Sequence, residues 1–296
     1  MTTRKTNNKI VVFGSNGLLG KEFASLSGKP NGLEIIAYSK ESADITDKTV
    51  VTKIISENRP NAVVNCAVVV NVDFCEKNPL TAWNVNTIGA GIIAEVIKES
   101  NLTDTKLIQI STSDIFGGSK KKYVENDLPT PVNVYGWSKC GGEQIVQQIG
   151  KNFSENFYIL RAGWLYGDGR DTFIDMVVKT LKQNQLLEAI NDQFNIPVWT
   201  KDIVNVALKL ISEKKPNTTK IYQIGASKKE QGVTKYDIAK EVAKILKLDT
   251  SLIKKCSFKK THSVKRPTCT VLAHSDNLET ISWKKSLENY LLSRYK

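Results

Sequence analysis

The first forty residues set the strongest constraint on the fold. An apolar run, KIVVFG (9–14), leads directly into glycines at positions 14, 17 and 20, then into an amphipathic stretch from Leu18 to Leu26 and a second apolar run, LEIIAY (33–38). That order reads as strand, glycine-rich turn, helix, strand. The unit repeats: VVTKIISENR (50–59) reads as helix, NAVVNCAVVV (61–70) as strand, TAWNVNTIGAGIIAEVIKES (81–100) as helix and TKLIQISTS (105–113) as strand. The strand runs are β-branched and lack period-two alternation, which marks strands covered on both faces. We expect an α/β fold, a doubly wound parallel sheet of Rossmann type with helices on each side.

Beyond residue 113 the spacing predicts a long helix over about 136–149 and a further strand in NFYILRAGWLYG (156–167). The alternation then loosens. TFIDMVVKTLKQ (172–183) reads as helix, LEAIND (187–192) as a short strand, DIVNVALKLISEK (202–214) as helix and KIYQIG (220–225) as strand. From Thr234 onward the chain reads as helix, loop and helix, without another strand–helix unit. This pattern suggests a dinucleotide-binding domain over 1–166 and 199–225, a smaller C-terminal substrate lobe over 167–198 and 226–296, and a cleft between them.

Composition narrows the class. Hydrophobic residues make up 41% and charged residues 24% of the 296, a globular balance. The five cysteines, Cys66, Cys75, Cys140, Cys256 and Cys269, are odd in number and at no ligand spacing, so neither a disulfide framework nor a metal site is expected. The formal charge of +12 comes mostly from scattered lysines, only six of the 42 basic residues being arginine, and no aromatic-interleaved basic cluster points to nucleic acid. No apolar run reaches the roughly 18 residues of a membrane span. MTTRKTNNK leads straight into a buried-type strand, so we expect a cytoplasmic protein with no membrane partner.

Glycines placed between a first strand and a first helix have a mechanical meaning. Gly14 permits the tight turn, Gly17 lets the backbone approach a pyrophosphate, and Gly20 lets the helix pack close to the strand. Asn16, Leu18 and Leu19 belong to the same turn. At the end of the second strand, an acidic side chain usually bonds the adenosine ribose of NAD. Here the place is taken by Ser39 and Lys40 in AYSKES, a hydroxyl and an ammonium suited to a 2′-phosphate. We therefore expect NADPH, with NADH as the alternative because Glu41 is adjacent. Asp44 and Ile45 are placed to meet the adenine.

Tyr135 and Lys139, in NVYGWSKCGGE, stand four residues apart, on one face of a helix and about 6 Å apart along its axis. A cation within about 4–6 Å favours the phenolate, so this spacing predicts a tyrosine made acidic by its neighbour. Upstream, QISTSDIFGG ends a buried strand in Ser111, Thr112 and Ser113. A hydroxyl there can hold a carbonyl oxygen while the tyrosine protonates it.

With these motifs in hand, the sequence resembles the extended short-chain dehydrogenase/reductases, and within them the dTDP-4-dehydrorhamnose reductases. The resemblance runs through GSNGLLG, VVNCA, VDFCEKNP, NVNTIG, ISTSDIFGG, YGWSKCGGE, LRAGWLYG and NDQFNIPVWTKDI to KRPTCTVLAHSDNLE. It implies a catalytic triad of Thr112, Tyr135 and Lys139. It sets Cys66, Ala67 and Val68 beside the cofactor and Val70, Thr112, Trp164 and Arg266 beside a nucleotide-sugar substrate. The implied reaction is reduction of a 4-keto-6-deoxy nucleotide sugar, dTDP-4-dehydro-L-rhamnose above others, and a homodimer is compatible with it. Two departures stand out: Val69 and Val70 replace a Tyr-Thr pair common in the family, and Ser113 and Asp114 stand where Asp and Tyr are usual.

Other readings compete. VTKYDIAKEVAKILKL (233–248) also resembles the non-catalytic β subunit of methionine adenosyltransferase, and Trp164 is the residue that speaks against it. An epimerase or dehydratase would usually need a longer C-terminal lobe, and a dehydratase an acid beside Thr112. His262 and His274 lack catalytic spacing, and Asn86 reads as a residue that orders a neighbouring strand end.

Overall fold

The computed structural model describes residues 8–28, 32–151, 153, 156–213, 221–227, 230–258, 263–276, 278–279 and 282–295. His262 lies outside these residues. The elements, in chain order, are β1 (Asn8–Phe13), α1 (Leu18–Ala24), β2 (Leu33–Tyr38), α2 (Lys48–Asn58), β3 (Ala62–Asn65), α3 (Val72–Lys77), α4 (Pro79–Trp83) and, after a π-helical stretch over Asn84–Gly89, α5 (Ala90–Glu99). They continue with β4 (Lys106–Thr112), α6 (Val134–Lys151), β5 (Phe157–Ala162), β6 (Trp164–Tyr166), α7 (Phe173–Lys182), β7 (Leu187–Ile190), β8 (Pro197–Trp199), α8 (Thr200–Ser212), β9 (Ile221–Ile224), α9 (Lys235–Leu246), β10 (Ile253–Cys256) and α10 (Trp283–Tyr295).

Six strands form one parallel sheet in the order β2-β1-β3-β4-β5-β9. Val11, Val12, Val63, Val64, Leu107, Ile108, Ile159 and Leu160 are wholly buried, alternate residues facing opposite helical layers, which is why these strands read as continuous apolar runs. Chain direction across the sheet reverses between β1 and β3. In sheets of this kind ligands bind beyond the strand carboxyl ends at that reversal.

Several expected elements are shorter or divided. The run 61–70 is strand only to Asn65, since the chain beyond it leaves the sheet as a loop. The run 156–167 breaks at Gly163, where a Cβ would sit 2.3 Å from the Ile196 carbonyl oxygen. β6 thereby leaves the main sheet and pairs in parallel with β8. The region after Thr234 is not free of strand either: β10 pairs in parallel with β7. By length and mean hydropathy Pro79–Glu99 would pass for a membrane span, although no uninterrupted apolar run in it reaches that length. Ala90, Ile93, Ala94, Val96 and Ile97 are packed into the core, so its apolar surface is that of a buried helix. All five cysteines are free thiols.

Candidate active site

A cavity of about 520 Å³ opens over the strand carboxyl ends. Its wall is built from the chain that follows β1 (Gly14 to Leu19), β3 (Cys66 to Val70), β4 (Thr112 to Asp114) and β5 (Gly163 to Leu165), closed on one side by Tyr135 and Lys139.

At one end lies the glycine turn. Gly14 takes a φ of +82°, and a Cβ there would stand 2.5 Å from the Ala67 nitrogen. A Cβ on Gly20 would stand 2.1 Å from the Gly14 carbonyl oxygen, so Gly20 serves packing under the turn and does not line the cavity. The Gly14 and Ser15 amides both donate to the Tyr38 carbonyl at 2.9 Å, which fixes the turn against β2. Gly17, by contrast, faces the open cavity with only the Gly14 carbonyl oxygen near its absent Cβ, at 3.3 Å. These residues fit a dinucleotide: a bare backbone cradle, a cavity long enough to reach from Lys40 to Trp164, and apolar walls from Leu18, Ile45 and Val68.

Around the end of β2 the outcome is mixed. Lys40, Asp44 and Ile45 line the cavity, but Ser39 does not. Its amide donates to Ser42 Oγ at 2.9 Å and its carbonyl accepts from the same hydroxyl at 3.1 Å, closing a tight turn that points it away. Glu41 does line the cavity and accepts a 3.2 Å hydrogen bond from the Asn16 amide, while the Ser39 hydroxyl holds its carboxyl below the usual range. Asp44 accepts from the Thr46 amide and hydroxyl at 2.9 and 2.7 Å, which lowers it as well.

Tyr135 and Lys139 stand on the first turns of α6. Asn133 starts that helix by accepting from the Gly136 amide at 2.9 Å, and its own amide donates to the Lys265 carbonyl at 3.0 Å. Thr112, the last residue of β4, borders the same part of the cavity as Tyr135 and accepts from the Asp114 amide at 3.1 Å. The three side chains therefore meet at one corner of the cavity.

Their electrostatics differ from the expected tuned acid. Burial pushes the Tyr135 phenol well above its ordinary value, and the Asp114 carboxylate adds to this; Thr112 opposes them only in part. Burial also pushes Lys139 down to about 8, against the pull of Glu143 and Cys66. The ammonium donates to the Ile110 carbonyl at 2.6 Å. Desolvation of both groups outweighs the attraction that spacing alone suggested.

The far end is richer in charge than the sequence disclosed. Val70, Trp164 and Arg266 line it as expected, and so do Asp114, Gln193 and Lys235, while Arg170, also in the wall, follows Gly169, whose carbonyl accepts from Lys21 of α1 at 2.8 Å. Arg266 is held by Asp73 of α3 at 2.7 Å. Lys235 is pushed down by burial and by Arg266, and its ammonium lies 5.7 Å from the Trp164 ring centre. The motif T-x-x-D at Thr234 and Asp237 marks the start of α9 and could have flagged Lys235 as its first residue. Gln193 sits in the motif NDQFNIPVWTKDI that carries the resemblance, whereas nothing local to Arg170 shows that it reaches a site. Ser113, expected beside Thr112 as a strand-end hydroxyl, borders the cavity but accepts from the Asn195 amide at 2.9 Å.

A parallel sheet with a glycine turn after β1, and Thr, Tyr and Lys gathered over its strand ends, defines the extended short-chain dehydrogenase/reductase class. Within it, the family model described as "RmlD substrate binding domain" matches residues 8–295. The chain belongs to that family, the dTDP-4-dehydrorhamnose reductases. It is 30% identical to the spore coat polysaccharide biosynthesis protein SpsK of Bacillus subtilis, over 97% of this chain and 98% of that one. It is also 30% identical to the dTDP-4-dehydrorhamnose reductase of Aggregatibacter actinomycetemcomitans, over 78% and 76%. The crystal structure of the dTDP-4-dehydrorhamnose reductase of Bacillus anthracis in complex with NADP superposes with a TM-score of 0.86 at 26% identity, covering 97% of this chain and 99% of that one.

Proposed function

We propose that this chain reduces the 4-keto group of a 4-keto-6-deoxy nucleotide sugar, with dTDP-4-dehydro-L-rhamnose as substrate and NADPH as reductant. The observation that carries the reading is the meeting of Thr112, Tyr135 and Lys139 with Trp164 in the one cavity that begins at the glycine turn. The family and its nucleotide-sugar ketoreductases supply the reaction class. NADPH is supported by Lys40 at the mouth and by the NADP bound in the Bacillus anthracis relative.

When bound, the reduced nicotinamide supplies a hydride to the sugar carbonyl carbon. Gly14 and Gly17 would give the diphosphate a surface without side chains, and Lys40 would hold the adenosine 2′-phosphate. Thr112 donates a hydrogen bond to the carbonyl oxygen, and Tyr135 gives that oxygen its proton as negative charge develops there. A phenol raised by burial keeps its proton until that moment. Lys139, still protonated at neutral pH but held down to about 8 by burial, can pass a proton back towards the tyrosine as the phenol loses its own. Trp164 offers a flat apolar face to the sugar ring, and Arg266 and Lys235 place positive charge where the sugar's diphosphate enters.

Purified protein given NADPH and dTDP-4-dehydro-L-rhamnose should oxidise the cofactor at a rate proportional to enzyme and yield dTDP-L-rhamnose. Absence of cofactor oxidation with this sugar and its UDP counterpart would refute the proposal.

A further inference from the structure

One carboxylate in the cavity has no part in the reduction just described. Asp114 lies two residues past Thr112, and its amide donates to the Thr112 hydroxyl at 3.1 Å. Its carbonyl oxygen packs on α6 so closely that a Cβ on Gly136 would sit 2.4 Å from it. The residue is thus fixed on both sides, to the end of β4 and to the helical turn that bears Tyr135. Its side chain borders the cavity and feels both the Tyr135 hydroxyl and the Arg266 guanidinium. That places it on the sugar side of the Thr112–Tyr135 corner, away from the glycine turn. Ser113, the nearer neighbour of Thr112, is turned into a buried network with Asn195 and Thr270 and leaves the position to Asp114.

A ketone held by two hydrogen-bond donors is activated in two ways. Its carbon can accept a nucleophile, and the hydrogens on the adjacent carbons become acidic, because the same donors stabilise an enolate. The second reaction needs a base beside the carbonyl, on the sugar side. We propose that Asp114 is that base, and that the chain catalyses exchange with solvent of the hydrogen on a carbon next to the sugar ketone. The inference rests on the ketosugar reading above.

The step is balanced without any co-reactant. An Asp114 carboxylate oxygen takes the proton from the adjacent carbon. The C–H electron pair becomes a carbon–carbon double bond, and the carbonyl π pair moves onto oxygen, where Thr112 and Tyr135 hold it. The proton on Asp114 exchanges with solvent, and its return to the same face of that carbon restores the ketone with solvent hydrogen in place and no net oxidation. Burial raises Asp114 to about 6, with Arg266 and Ser113 opposing, so at neutral pH it is ionised yet more basic than an ordinary carboxylate.

The test is solvent exchange. The full chain is incubated in D2O with NADP⁺ and dTDP-4-keto-6-deoxy-D-glucose, and deuterium beside the carbonyl is followed by NMR and mass spectrometry against an enzyme-free control. A parallel sample with NADPH and dTDP-4-dehydro-L-rhamnose reports reduction. Wild type should gain deuterium well above the control, Asp114→Asn should slow this about 100-fold, and Asp114→Glu should restore part of it. Reduction without exchange in the wild type overturns the inference while leaving the reductase reading intact. Exchange at the wild-type rate in Asp114→Asn overturns it too. Absence of both reduction and exchange refutes the ketosugar reading, and the inference falls with it. Because the wild-type arm alone can refute it, the test survives a variant that fails to fold.

Discussion

The side-chain amide of Asn86 clasps both backbone groups of Val69, accepting from its N–H at 2.8 Å and donating to its carbonyl at 3.1 Å. The same amide donates to the Ser138 hydroxyl at 2.9 Å, and that hydroxyl donates to the Tyr135 carbonyl at 2.8 Å. One buried residue of the π-helical stretch thereby joins the loop after β3 to the helix that carries Tyr135 and Lys139. Interruptions of this kind often mark functional positions. Asn86→Ala would leave buried backbone groups unpaired, at a cost of about 1–3 kcal/mol. We expect a lower melting temperature together with a fall in kcat, and Asn86→Asp, which keeps only the acceptor, should lie between. Unchanged kcat in a folded Asn86→Ala protein would remove its positioning role.

Tyr135→Phe should lower kcat by about 10²–10⁴, the usual worth of a positioned proton donor. The hydroxyl lies apart from the glycine turn, so NADPH affinity should stay within a few-fold of wild type. Titration of NADPH fluorescence beside steady-state kinetics separates the two effects. A variant with wild-type turnover would take Tyr135 out of the proton path.

The first five strands and their helices were legible because burial on both faces leaves a mark that survives in one dimension. The bend at Gly163 was not, because it depends on the Ile196 carbonyl more than thirty residues away. β10 escaped for another reason: Ile253 alone is buried while Lys254 and Lys255 face solvent, so four residues carry no apolar pattern. At the site, spacing placed Tyr135 and Lys139 on one helix face but misjudged their titration. How far each is desolvated depends on the packing of β3, β4 and α3, which no local window contains. Lys235 and Arg170 reach the cavity only through the folding of the C-terminal half.

Lys40 is the cation at the cavity mouth beside the end of β2, and no acid takes the place of Ser39. Lys40→Glu should reduce the preference for NADPH over NADH by about tenfold or more, one such factor being about 1.4 kcal/mol. The wild-type preference should also weaken as salt rises, because the contact is exposed. The ratio of kcat/KM for the two cofactors decides the matter, and a ratio unmoved by the substitution would reject this role for Lys40.

Arg161 and Glu143 form an almost fully buried ion pair between β5 and α6. Nε and Nη2 of the arginine donate to the carboxylate at 3.0 and 2.8 Å, and Nη1 donates to the Glu125 carbonyl at 3.1 Å. Removing one partner strands the other charge, at a cost of about 3–5 kcal/mol. Glu143→Ala should therefore lower the denaturant midpoint sharply without direct contact with the cavity. Loss of under about 1 kcal/mol would mean that water reaches Arg161.

Lys139 presents the opposite case, a buried cation whose cost the fold carries for the sake of the site. It is 4% exposed, and its ammonium is pushed down from 10.5 to about 8, burial leading. The folded chain thus holds this proton less tightly than the unfolded chain does. Between about pH 8 and 10.5 the unfolded state binds more protons at this group, so its contribution to stability rises with pH across that window. Below pH 8 the full cost is present. Replacing the ammonium by an apolar chain of similar length should recover about 1–3 kcal/mol, since Glu143 keeps Arg161 as its partner. Lys139→Met should accordingly lose turnover yet melt above wild type at pH 7, and the gap should close as the pH approaches 10. Melting curves of both proteins at pH 7, 8, 9 and 10 follow the difference directly. A variant that melts below wild type at pH 7, or a gap that widens with pH, would show that the ammonium stabilises the fold through its bond to the Ile110 carbonyl.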